Sequence, residues 1–105
     1  MTWLKDYGKC LEQYKQEIVP LIEDGNYHLA LSELESVISR IETIQIENER
    51  EMPPSVKMHS PSFVYGLEKL KDKLKDGDEL DILFVQEHNI NSKLGMLSWI
   101  IGNPK

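Results

Sequence analysis

The segment that decides the fold is NYHLALSELESVISRIETI, residues 26–44. Its apolar residues recur every three or four positions, which places them on one side of an α-helix. They are Tyr27, Leu31, Leu34, Ile38 and Ile41, with Ala30, Val37 and Ile44 beside them. A stripe of this breadth is typical of a helix that faces a protein core. The segment therefore predicts a long amphipathic helix that packs against other helices.

The residues before this segment carry a second stripe with the same period. It consists of Leu4, Tyr7, Leu11, Tyr14, Ile18 and Leu21. Pro20 lies inside the stripe, where it removes one backbone donor and crowds the carbonyl of Gln16, so we expect a kink or an early end. Gly25 follows in Asp24-Gly25-Asn26 and is suited to a left-handed helix cap. The first two helices are thus expected to be joined by a tight turn.

Gly25-Asn26-Tyr27-His28-Leu29-Ala30, followed by Leu34 and Val37, resembles the turn and second helix of a tetratricopeptide repeat. In that family the glycine opens the turn, the tyrosine packs inward and the alanine allows close helix approach. The resemblance covers roughly residues 14–42 and has no second copy further along the chain. It implies a tight helical hairpin and no particular function.

The second half of the chain predicts a loop and two further helical segments. Residues 51–61 contain three prolines and are expected to form the loop. Ser60 or Ser62 is then a suitable cap for a third helix, in which Phe63, Leu67, Leu70 and Leu74 form the stripe. Asp76-Gly77-Asp78 is expected to end this helix and cap the next.

Residues 78–101 are predicted to be one long helix or two short ones broken around residues 89–91. The apolar positions assigned to it are Leu80, Leu83, Phe84, Ile90, Leu94, Leu97 and Ile101. A strand over residues 80–85 is the alternative, but a lone strand has no partner in this sequence.

These segments predict an all-α fold: a small bundle of four antiparallel amphipathic helices, or five if the last segment breaks. With 105 residues the chain is expected to form a single helical domain, 1–105. In an up-down bundle, the start of the first helix and the end of the last share one end of the molecule. Trp3 and Trp99 are therefore expected at the same end.

Composition limits the partners and the compartment. The formal net charge is −6, from 12 basic and 18 acidic residues, which argues against nucleic acid and against an anionic membrane surface. The single cysteine, Cys10, cannot form an internal disulfide. No signal-peptide pattern and no apolar run of membrane-spanning length is visible. We therefore expect a cytoplasmic protein.

No constellation of catalytic or metal-ligating residues is visible. His28, His59 and His88 have no second histidine or cysteine at helical ligand spacing, and nothing local activates Cys10 as a nucleophile. No phosphate-binding loop, nucleotide fingerprint or nucleophile elbow occurs. Lysines 69, 71, 73 and 75 alternate with acidic residues, which favours a solvated helix face over a phosphate site. We expect no enzyme activity, no metal and no cofactor.

Two surfaces are candidates for binding a partner. Residues 12–51 hold ten acidic residues against three basic ones, a net charge of −7. The acidic outer face predicted for the second helix contains Glu33, Glu35, Glu42 and Glu47, together with Glu49 and Glu51. Such a face would steer a basic partner, and ordinary solubility is the alternative.

The other candidate is the C-terminal segment, where Met96, Trp99 and Ile100 exceed what one core-facing stripe can bury. An exposed apolar patch there would mark a partner or dimer interface, unless the helix is buried on both sides. We therefore expect a protein that binds another protein. The most specific form of this hypothesis is an inhibitor or immunity-type protein that occludes a basic partner. A structural homodimer or assembly subunit pairing through the C-terminal helix is the alternative.

Overall fold

A computed structural model, which describes residues 2–102, shows four helices. Helix α1 spans residues 2–23, α2 spans Tyr27–Glu47, α3 spans Pro54–Asp76 and α4 spans residues 79–102. No strand occurs in residues 2–102, so the all-α prediction of a four-helix bundle is confirmed and the strand alternative at residues 80–85 is wrong. The last segment is one long helix. None of the helices in residues 2–102 is both long and apolar enough to cross a membrane.

The helices pack in a ring. Each helix contacts its neighbours in sequence, and α1 closes the ring by packing on α4. The first half of α1 lies against the last turns of α4. At this contact, a Cβ added at Gly8 would lie 3.6 Å from Cγ2 of Ile101. Trp3 is buried near this junction, whereas Trp99 is 69% exposed.

The core combines aliphatic side chains from all four helices with two tyrosines and a phenylalanine. Tyr7, Tyr14 and Phe63 are completely buried. The rings of Tyr14 and Phe63 meet edge to face, with centroids 6.3 Å apart, a favourable geometry for an aromatic pair. Cys10 is also completely buried.

Two glycines end helices as the sequence predicted. Gly25 and Gly77 have φ values of +81° and +73°, which a residue with a side chain adopts at a cost. After Gly25 the amide of Asn26 bonds the carbonyl of Leu21 at 2.8 Å. After Gly77 the carboxylate of Asp78 accepts the amides of Leu80 and Asp81 and so caps α4.

The predicted loop at residues 51–61 is wrong in its extent. Helix α3 begins at Pro54, so the connection is short. Pro54 occupies the first helical turn, where no amide donor is needed. Pro61 lies inside α3, and Ser60, expected at the helix start, is instead buried within it. Of the three prolines, Pro53 therefore lies in the connection, whereas Pro54 suits a helix start and Pro61 is tolerated inside α3.

Two helices contain a π turn, in which one extra residue is accommodated. In α1 it spans Tyr14–Ile18, and the amide of Val19 bonds the carbonyl of Tyr14, five residues back. Pro20 follows this turn directly. The helix continues through Pro20, and no hydrogen bond from the amide that proline lacks is needed at this position. The turn also shifts the stripe: Ile22 is buried and the predicted Leu21 is only half-buried.

The second π turn, Gln86–Ile90 in α4, is closed by a bond from the amide of Asn91 to the carbonyl of Gln86. Here α3 comes very close, because Gly66 presents bare backbone to α4. A Cβ at Gly66 would lie 2.4 Å from the carbonyl oxygen of Asn89. The contact between α3 and this π turn thus requires a glycine.

Candidate functional site

The acidic residues of α2 do not form one surface. Glu33 is half-buried on the side facing α1, where its Oε2 accepts a hydrogen bond from Nε2 of Gln13 at 2.7 Å. Nη1 of Arg40 donates to Oε1 of the same Gln13, also at 2.7 Å. Glu47 lies about four turns beyond Glu33 and therefore on the same flank. This flank mixes acids with Arg40 and an amide.

Glu35 and Glu42 lie on the opposite flank of α2, toward α3. Both are exposed. Lys71 of α3 has a raised pKa, mainly because it bonds Glu68, and Glu35 adds to this effect. The carboxylates of α2 therefore lie on two flanks, and the exposed uncharged side chains Ser32, Ser36, Ser39 and Thr43 lie between them on the outer side of the helix.

The C-terminal apolar residues are placed differently from one another. Met96 is 41% exposed and Trp99 is 69% exposed, whereas Ile100 is half-buried and packs against the core. Of the three residues assigned to a surface patch, two are therefore exposed, Trp99 over most of its surface and Met96 over less than half.

Helix α4 also exposes apolar residues in its first half, which sequence reasoning assigned to the core. Leu80 is 78% exposed, Phe84 60% and Leu83 45%. The ring of Phe84 lies 4.3 Å from that of His88, centroid to centroid. We call the set Leu80, Leu83, Phe84, Met96 and Trp99 the α4 outer face.

The π turn aligns the two halves of the α4 outer face. Leu80 and Trp99 would point in directions roughly 100° apart on a regular α-helix. Because the π turn accommodates one residue, their effective separation is about 18 residues, or about five full turns. The buried residues show the same shift, since Val85 and Ile90 are both in the core although they lie five positions apart. Helix α4 thus carries one apolar stripe inward and another outward.

A different signal in the sequence would have located the outer face. Ile82 and Val85 are spaced like helix neighbours, and Ile90 follows five positions later. If Ile82 and Val85 are assigned to the core-facing side of the helix, Leu80 and Phe84 fall on the opposite, exposed side. The spacing of five is then the mark of a π turn. The other large exposed apolar residues, Leu29, Ile46, Met58 and Tyr65, lie outside α4.

The histidines do not converge. His28 and His88 are exposed, and Nδ1 of His59 lies 3.5 Å from Nζ of Lys93. Within residues 2–102, no group of three or more His, Cys, Asp or Glu side chains is placed to hold a metal ion. A depression of about 670 Å³ lies along α1, with Arg40 of α2 and the last turns of α4 also in its lining. Its charged lining residues have both signs: Lys5, Lys9, Lys15 and Arg40, with Glu12 and Glu17.

A buried polar chain joins three helices. The hydroxyl of Tyr7 in α1 lies 2.6 Å from Oγ of Ser60 in α3, and Oγ of Ser60 donates to Oε1 of Gln45 in α2. Ser60 therefore accepts from Tyr7. Burial raises the pKa of Tyr7, so this phenol keeps its proton at neutral pH. The chain orients α1, α2 and α3 relative to one another and supplies no activated nucleophile.

Alkaline pH is expected to unfold the protein through its buried tyrosines. Burial raises the pKa of Tyr14 to about 12, against a smaller lowering by Gln86. An exposed tyrosine loses its proton near pH 10. Above this pH the unfolded chain therefore binds fewer protons than the folded one. The free energy of unfolding should then fall by up to about 1.4 kcal/mol per pH unit for each such residue, up to about pH 12.

Tyr14→Phe tests this expectation. Its slope of stability against pH between pH 10 and 12 should be shallower than that of the wild type. Its stability at pH 7 should change little, because the Tyr14 hydroxyl has no hydrogen bond within the usual distance among the described residues. Urea unfolding at both pH values measures this, with Tyr65→Phe, which removes an exposed hydroxyl, as the matched control. Equal slopes for Tyr14→Phe and wild type would contradict the expectation.

Comparison with known proteins adds no identity. No family model, no curated protein and no solved structure matches this chain.

Proposed function

We propose that this protein is a protein-binding module whose binding surface is the α4 outer face. The observation that carries the proposal is the line of large apolar side chains at 41% to 78% exposure along one helix. Apolar residues scattered singly over a surface are ordinary, whereas large apolar residues grouped on one face are typical of an interaction site. Here two such groups, one in each half of α4, flank the exposed polar residues between them. Phe84 and Trp99, one in each half of α4, are the kind of side chain that anchors protein interfaces.

The mechanism in this proposal is occlusion: the apolar stripe covers a complementary surface of another polypeptide. Asp81 and Glu87 border the first half of the α4 outer face and are exposed. In an inhibitor or immunity-type protein, such carboxylates would meet the basic rim of the partner's groove. In an assembly subunit, the apolar stripe would supply the contact. Both forms need the same anchors on α4 and neither needs catalytic chemistry.

The test compares three tagged baits: wild type, Leu80→Gln and Ile46→Gln. Leu80 and Ile46 are each 78% exposed, so the two variants remove equal apolar exposure from α4 and from α2. Each bait is incubated with lysate from the source cells and, separately, with untagged protein. Wild type and Ile46→Gln should retain the same polypeptides, and Leu80→Gln should retain at least about tenfold less, as loss of an interface anchor predicts. Equal retention by all three baits would contradict the proposal.

A further inference from the structure

We propose that the polypeptide bound by the α4 outer face is a second copy of this chain, paired antiparallel about a two-fold axis. This rests on the proposed function and names the partner for the same surface. In a two-fold interface, a residue that contacts a second residue across the axis is contacted by it in return. A face that pairs with itself must therefore be compatible with itself at mirrored positions along the helix: apolar residues must face apolar residues or open space, and charges must not face like charges.

The α4 outer face has this match around an axis passing between residues 89 and 90. Leu80 would meet Trp99 of the partner subunit, and Leu83 would meet Met96 of the partner subunit. Phe84, a large aromatic residue, would meet Gly95 of the partner subunit. Each large residue thus has an apolar or an empty position opposite it.

Gly95 is the position that points most directly to a second copy. It lies inside α4, where glycine is less favourable for helix formation than alanine. A Cβ at Gly95 would have nothing within 4 Å, so packing within the monomer gives no reason for a glycine there. In the antiparallel pair, the ring of Phe84 from the other subunit occupies this space.

The middle of the face is polar in a complementary way. Around the same axis, Glu87 lies opposite Ser92 of the partner subunit, whose hydroxyl can donate to the carboxylate. His88 lies opposite Asn91 of the partner subunit, and an amide can donate to or accept from a histidine ring. All four side chains are exposed in the monomer. The centre of the interface would therefore have no charge facing a like charge.

Charge favours antiparallel over parallel pairing. The start of α4 carries Asp78, Glu79 and Asp81, whereas the charged residue in the described part of its second half is Lys93. Antiparallel pairing keeps the two acidic starts roughly 35 Å apart, the length of the helix, while parallel pairing would bring them together. The helix dipoles also oppose each other in the antiparallel arrangement.

The available area suits a reversible dimer. Five apolar side chains at these exposures supply on the order of 500 Å² from each subunit, before the polar residues are added. Stable interfaces begin at roughly 1,200 Å² in total. We therefore expect a dissociation constant in the micromolar range rather than an obligate dimer.

The experiment is sedimentation velocity over a concentration series from about 1 µM to about 500 µM, a range that brackets the expected dissociation constant. The wild type and Ile46→Gln should shift from monomer to dimer, and Leu80→Gln and Gly95→Gln should dimerise at least about tenfold more weakly. Leu83→Lys and Met96→Glu should each be monomeric. Their equimolar mixture should restore the dimer, because each new lysine then faces a new glutamate in antiparallel register. Circular dichroism verifies that each variant is folded.

Several results would overturn the inference. These are a wild type that stays monomeric throughout, a wild-type dimer that Leu80→Gln and Gly95→Gln leave intact, or a mixture that fails to pair. A monomeric wild type that still captures a lysate protein more strongly than Leu80→Gln does would leave the proposed function standing with a different partner. A monomeric wild type with equal capture by all baits would remove both.

Discussion

Gly66→Ala is expected to destabilise the protein by about 3 kcal/mol, the upper end of what overpacking usually costs. The new methyl group would lie 2.4 Å from the carbonyl oxygen of Asn89 and 3.1 Å from its carbonyl carbon. Both atoms belong to the backbone of the π turn, so neither can rotate away as a side chain would. Helix α4 must then move away from α3 or lose the π turn. Either change uncovers Ile90 and displaces the α4 outer face.

Urea unfolding at pH 7 measures this effect, and Gly95→Ala is the matched control. Both glycines lie inside helices, but a methyl group at Gly95 meets no atom within 4 Å. At low protein concentration, Gly95→Ala should therefore stabilise the monomer by up to about 1 kcal/mol through helix propensity alone. Opposite signs for the two variants are the expected result. If Gly66→Ala also stabilised the protein, the close contact between α3 and the π turn would be wrong.

Pro61→Ala is expected to stabilise the protein by about 2 kcal/mol, most of what an interior proline costs a helix. Pro61 lies inside α3, is exposed and has no amide to donate to the carbonyl of Lys57 one turn earlier. Alanine restores that hydrogen bond and removes the steric conflict between the proline ring and this carbonyl. Because the Pro61 side chain is at the surface, its removal leaves no cavity in the core.

Pro54→Ala is the control for this change. Pro54 occupies the first turn of α3, where its fixed φ suits the helix and no intrahelical donor is required. Its replacement should change the free energy of unfolding by less than about 1 kcal/mol, since the gain in helix propensity is offset by a more flexible unfolded chain. Urea unfolding measures the change in the free energy of unfolding for both variants. The difference between the two changes gives the effect of the proline's position within the helix. Equal effects would show that Pro61 does not strain α3.

The sequence predicted the parts of the fold that follow from local patterns. The stripe of α2 places its buried residues correctly, because a regular helix keeps one period throughout. Gly25 and Gly77 end helices as expected, since few residues other than glycine adopt the left-handed conformation at low cost. The hairpin of α1 and α2 forms, and Ala30 at its start is completely buried.

The π turns account for the misplaced stripes of α1 and α4. A stripe predicted from helical periodicity assumes a regular α-helix without extra residues. The extra residue of each π turn therefore shifts the buried positions of α1 and α4 away from the predicted ones. In α4 the drift put Leu80, Leu83 and Phe84 into the predicted core, which concealed half of the outer face. The α4 π turn depends on Gly66 of α3, about 20 residues away in sequence, and a local pattern contains no such information.

The α4 π turn also makes the number of residues, not only their identity, a determinant of the surface. Deleting one residue between Gln86 and Ile90 would leave a regular α-helix in which Leu80 and Trp99 are about 18 residues apart. That separation is about five full turns, so the two side chains would stay in line. Deleting one residue between Ile90 and Trp99 while the π turn is kept would instead rotate Trp99 by roughly 100° out of this line. A change in the length of α4 therefore preserves or breaks its outer face according to whether it falls inside or outside the π turn.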